Sequence, residues 1–72
     1  MDEIKEYEDE AREIRRKYAN WDFINSLPPR LKYAVTLYIE KGDLRLSQKL
    51  SGLDLEDFKE LLIKCNVPTT YY

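Results

Sequence analysis

Between Lys41 and Cys65 the chain reads KGDLRLSQKLSGLDLEDFKELLIKC. Gly42 and Gly52 are the chain's two glycines, and a tight reversal between helices favours glycine, which enters the left-handed region without a Cβ penalty. The stretch therefore predicts a short helix from Asp43, a turn at Gly52 and a longer helix to Cys65, the outline of a helix-turn-helix. Asp43 suits the N-cap of the first helix, in which Leu46 and Leu50 lie four apart. Asp54 suits the N-cap of the second, with Asp57 three residues on as an imperfect capping box. Leu55, Phe58, Leu61, Leu62 and Cys65 form the expected buried face of that helix. Asn66 fits the left-handed position after it, and Pro68 stops its continuation.

Upstream, Pro28 and Pro29 break the chain, and Pro29 suits the first position of a helix over 29–41. Leu31, Ala34, Val35, Leu37, Tyr38 and Ile39 make a wide apolar arc on it, which predicts a central helix with neighbours on two sides. Trp21, Phe23, Ile24 and Leu27 read as a short, partly buried helical turn. Residues 2–19 form an amphipathic helix that Asp2 can cap. Ile4, Tyr7, Ala11, Ile14 and Tyr18 make a stripe continued by Trp21. Acids crowd its first half, while Arg12, Arg15, Arg16 and Lys17 occupy the second, an order that complements the helix dipole. Glu8–Arg12 and Glu13–Lys17 have the favoured four-residue spacing. The stripe is narrow: it packs on the chain's own core, or it docks on another chain. Arg15, Arg16 and Lys17 read as a solvated face.

The expected fold is all-α, a small bundle of about four helices with a helix-turn-helix-like core. Residues 1–72 make one helical domain, with an N-terminal amphipathic helix over 1–20, the core over 29–66 and an extended tail over 67–72. In that tail, Tyr71 and Tyr72 either fold back or anchor a partner, since tyrosine joins contact area to a polar tip. One cysteine excludes an internal disulfide, and without histidine it makes no ordinary zinc site; Cys65 reads as a small core hydrophobe. Met1 is followed by acids and no apolar run reaches spanning length, so the expectation is a soluble cytoplasmic protein without a signal peptide or membrane contact. Charged residues make up 36% of the chain, with six tyrosines against one methionine, a usage expected of a thermophilic archaeal source or of an ordinary charged helical protein.

Catalysis is not expected. There is no His for acid–base work, no nucleophile–base pair and no phosphate loop, and the carboxylates sit on periodic faces beside Lys and Arg. No cofactor or metal is expected either.

From Ala34 to Tyr71 the matching residues are Ala34-x-x-Leu37-Tyr38, Gly42, Leu50-Ser51-Gly52-Leu53, Phe58-x-x-Leu61-Leu62, Val67-Pro68 and Tyr71. On these residues this half of the chain resembles a family of small prokaryotic helix-turn-helix proteins counted among antitoxins. The resemblance implies the fold, and a DNA-binding antitoxin or transcriptional regulator whose N-terminal helix dimerises it or neutralises a toxin. Ser47 and Gln48 stand where that family carries two alanines, the segment between the glycines is shorter, and the family opens with an extended segment. In size, acidity and composition the chain also looks like the small accessory subunits of the replicative DNA polymerase of some archaea.

A DNA-reading second helix offers Arg, Lys, Asn or Gln to base edges. Here Asp54, Glu56, Asp57 and Glu60 outweigh Lys59 and Lys64, and a polyanion is repelled. The region from Arg30 to Lys49 is instead basic. Any nucleic-acid contact, weak or indirect, is expected from Arg45 and Lys49 on phosphates, with Ser47 and Gln48 nearby; otherwise these charges are a solubilising surface. The leading expectation is a non-catalytic adaptor, monomeric alone, that binds a larger protein, most concretely a DNA polymerase, through Ile4, Tyr7, Ile14, Tyr18, Tyr71 and Tyr72. The alternatives are the antitoxin or regulator and a structural homo-oligomer.

Overall fold

The computed structural model describes residues 2–69, with side chains from Asp9 onward. Five helices follow in order: α1 (Asp2–Tyr18), α2 (Trp21–Asn25), α3 (Pro29–Lys41), α4 (Leu44–Ser51) and α5 (Leu55–Lys64). The described residues are all-α and contain no strand.

Local chemistry explains the boundaries. The Asn20 side chain accepts from Phe23 N at 3.2 Å and starts α2. Pro28, at φ −55° and ψ 150°, holds the N-cap of α3, and Pro29 enters its first turn, where a missing N–H costs nothing. Gly42, at φ 70°, closes α3 and donates its N–H to Tyr38 O at 2.7 Å. Asp43 Oδ1 then accepts from Leu46 N at 3.1 Å, the expected cap of α4. Gly52 turns the chain at φ 76°; a Cβ there would lie 2.9 Å from the Arg30 guanidinium carbon. After α5, Asn66 takes φ 56°, and its N–H and that of Val67 return to Ile63 O and Leu62 O. These are the paired bonds of a Schellman ending.

One expected cap is not made. Asp54 takes the N-cap of α5 in an extended conformation without a side-chain bond to the helix. The first turn closes through the backbone instead, Phe58 N donating to Asp54 O at 2.8 Å.

Helix α3 is the central element, touching α1, α2 and α4. Its Ala34, Val35, Tyr38 and Ile39 meet Phe58, Leu61, Leu62 and Cys65 from α5 and the turn after it, with Ile24, Ala19 and Val67 closing the core. Phe23, Leu27, Leu31, Leu44 and Leu53 pack around it, half-buried.

Two helices are rotated from the simplest reading of their apolar pattern. On α1 the core-facing residues include Arg15, 8% exposed, and Ala19 lies buried just beyond the helix; Ile14 and Tyr18 are 41% and 52% exposed. The self-packing reading of the stripe therefore fails for Ile14 and Tyr18, and Arg15 does not belong to a solvated face. The cause is the C-terminal end of α3, whose last carbonyls lack helical partners. Arg15 Nε donates to Ile39 O at 2.9 Å, and Arg12 Nε to Glu40 O at 2.8 Å. Arg12 also meets Asp9 at 3.5 Å. On α4, Ser47 and Ser51 are buried while Leu46 and Leu50 face outward. Leu55, expected in the α5 core face, is exposed as well. Among the described residues, no helix is long and apolar enough to cross a membrane.

Candidate partner-binding face

Two long-range hydrogen bonds lock the end of α1 to the end of α5. Asn20 N donates to Cys65 O at 2.7 Å, and Asn66 Nδ2 donates to Tyr18 O at 2.7 Å. They bring Tyr18 and Ile63 to the same open groove, whose walls also include Asn66, Val67, Pro68 and Thr69 and whose volume is about 410 Å³. Ile63 is 70% exposed. Ile14 lies one helical turn before Tyr18 on the same side of α1. Lys17 Nζ sits 5.7 Å from the centre of the Tyr18 ring, a cation–π distance that covers one side of that ring. Nearby, Trp21 stays partly exposed and donates its indole N–H to Arg16 O at 3.0 Å.

Of the residues expected to bind a partner, the structure thus places Ile14 and Tyr18 on one exposed apolar face. The side chains of Ile4 and Tyr7, together with Tyr71 and Tyr72, lie outside the described residues. Thr69, the last described residue, lines the groove. Ile63 was not singled out in the sequence. The available signal was its position, off the 55, 58, 61, 62, 65 series and flanked by Leu62 and Lys64.

The residues expected near nucleic acid do not act together. Arg45 and Lys49 are exposed on α4. Ser47 is fully buried with no hydrogen-bond partner for its hydroxyl, so it cannot reach a phosphate; a small residue is needed there because α4 lies against α3. Gln48 directs its amide into the α4–α5 turn, donating to Leu53 O at 2.6 Å. A long side chain is thereby accommodated close to the helix crossing. Arg30 is also committed, donating from Nε to Leu50 O at 2.9 Å beside Gly52. The first turn of α5 presents Glu56 and Asp57 to solvent.

Among the described residues, no group of His, Cys, Asp or Glu is arranged to hold a metal. Burial pushes the Cys65 thiol up to about 11, which keeps it protonated and poorly nucleophilic near neutrality. Comparison with protein-family models, curated proteins and solved structures finds no match to this chain.

Proposed function

We propose that this protein is a non-catalytic, cytoplasmic protein-binding adaptor in DNA transactions, most concretely an accessory subunit of an archaeal DNA polymerase complex. The observation that carries the adaptor reading is the groove lined by Tyr18 and Ile63, both exposed, with Ile14 exposed one helical turn before Tyr18. The isolated chain leaves these in water, and burying one such side chain is worth about 1.5–3 kcal/mol. The polymerase assignment rests on likeness in size, acidity and composition. The acidic opening of α5 supports an adaptor that does not read bases.

The test is reconstitution with the replicative polymerase of the source organism, after nuclease treatment. The expected result is a stoichiometric complex, weakened at least about tenfold by Tyr18→Ser combined with Ile63→Ser, with the helical circular-dichroism spectrum of the isolated chain retained. A complex untouched by these changes would remove the groove from the interface; no complex with the polymerase would end that assignment.

The second reading is a DNA-binding regulator or antitoxin. It is favoured by one observation, the pair of exposed cations Arg45 and Lys49 on α4. A dimer binding promoter DNA with steep salt dependence, lost in Arg45→Glu/Lys49→Glu, would establish it in place of the adaptor.

A further inference from the structure

We infer that the outward face of α4 is a second docking surface, one that receives an acidic amphipathic helix of a partner protein. The inference is independent of the groove at Tyr18 and Ile63.

Helix α4 packs Leu44 against the core, but beyond that residue its polarity is inverted. Ser47 and Ser51 are buried at 0% and 4% exposure, whereas Leu46 and Leu50 are 45% and 37% exposed. Leu55, 40% exposed, follows the Gly52 turn at the start of α5. The helix cannot simply roll its leucines inward. Asp43 holds one end through Leu46 N. At the other, Gly52 turns in the left-handed region beside Arg30, which holds Leu50 O. A leucine in the fully enclosed place of Ser47 would overpack the α3–α4 contact. The outward leucines are therefore a consequence of how α4 is pinned, and they stay available.

Charge identifies the occupant. Arg45 and Lys49, adjacent in sequence to the two leucines and four residues apart, are exposed and enter no ion pair with another described residue. A second copy docked symmetrically on this face would set these cations against their own counterparts. DNA would gain nothing from the leucines, whereas an amphipathic helix covers them. A helix with apolar residues at i, i+3, i+4 and i+7, bordered by Glu or Asp, satisfies both the ridge and the cations.

The probe is a synthetic helical peptide with leucines at those spacings and glutamates elsewhere, compared with its lysine counterpart and with a short duplex DNA. Binding to the full chain is followed by fluorescence anisotropy and by backbone amide shifts. The expected result is that the glutamate peptide binds, more weakly as salt rises, with shifts centred on residues 45–55, and that the lysine peptide does not. Leu46→Ser/Leu50→Ser and Arg45→Glu/Lys49→Glu should each weaken it at least about tenfold while leaving the circular-dichroism spectrum unchanged. Tyr18→Ser/Ile63→Ser should leave it intact, so the two faces fail or stand separately. The inference is overturned by absence of binding, by shifts centred on Tyr18 and Ile63, by preference for the duplex over the peptide, or by self-association that Leu46→Ser abolishes.

Discussion

Ser47 shows what a single buried hydroxyl reveals about a helix crossing. Its side chain is enclosed where α4 meets α3, and its oxygen has no hydrogen-bond partner. The site selects for size and leaves the polarity uncompensated, since an unpaired buried hydroxyl costs about 1–3 kcal/mol. Ser47→Ala should therefore raise stability by about 1 kcal/mol in urea unfolding; a loss of similar size would mean that the hydroxyl is paired in solution. The neighbouring Ser51 is different. Its Oγ donates to Gln48 O at 2.6 Å and accepts from Leu53 N at 3.0 Å, so it closes the turn before α5.

At the scale of elements, the junction of α1 with the end of α3 organises the fold. Arginines from successive turns of α1 reach the same helix terminus, Arg12 and Arg15 taking backbone carbonyls and Arg16 taking the Glu40 carboxylate with both arms of its guanidinium. The Arg15 guanidinium also lies 5.7 Å from the Tyr38 ring centre and against Gly42. Arg15→Met keeps the aliphatic stem but removes the donor from a buried carbonyl, and should cost about 1–3 kcal/mol by urea unfolding. The Arg16–Glu40 pair is half-exposed and screened. The hydrogen bond from Arg16 holds the Glu40 carboxyl below its ordinary value. A depressed carboxyl stabilises above the usual carboxylate range, and that contribution is lost as pH falls through the folded value. Glu40→Gln should accordingly lower Tm slightly at neutral pH, with the gap closing on acidification and in high salt; a gap that widens in acid would show that the pair is not the cause.

The fold is a slab of 36 × 23 × 17 Å, and its described residues form a small core between α3 and α5. A chain of this size has limited apolar surface to enclose, yet it leaves Ile14, Tyr18, Ile63, Leu46, Leu50 and Leu55 exposed. A partner selective for the folded state should stabilise it strongly, by about 2.7 kcal/mol at a hundredfold excess over Kd. Thermal unfolding of the reconstituted complex should thus show a higher, concentration-dependent Tm for this chain than unfolding alone. An unchanged Tm in a verified complex would mean that its exposed apolar faces are not what the partner covers.

From Pro28 onward, sequence alone determined most of the helix boundaries. Pro28-Pro29, Gly42, Asp43, Gly52 and Asn66 act through φ restrictions and hydrogen bonds to residues close in the chain, and those effects are decided locally. The wide apolar arc of α3 likewise identified the central helix. What the tertiary structure decided is which way α1 and α4 face. A narrow apolar stripe states only that a helix has two sides. The choice on α1 was settled by carbonyls at the end of α3, twenty-four residues from Arg15. On α4 it was settled by room for nothing larger than serine against α3. For that reason Ile14 and Tyr18 were legible as a pair, with the choice between core and partner left open, while Ile63 emerged only when α5 was docked.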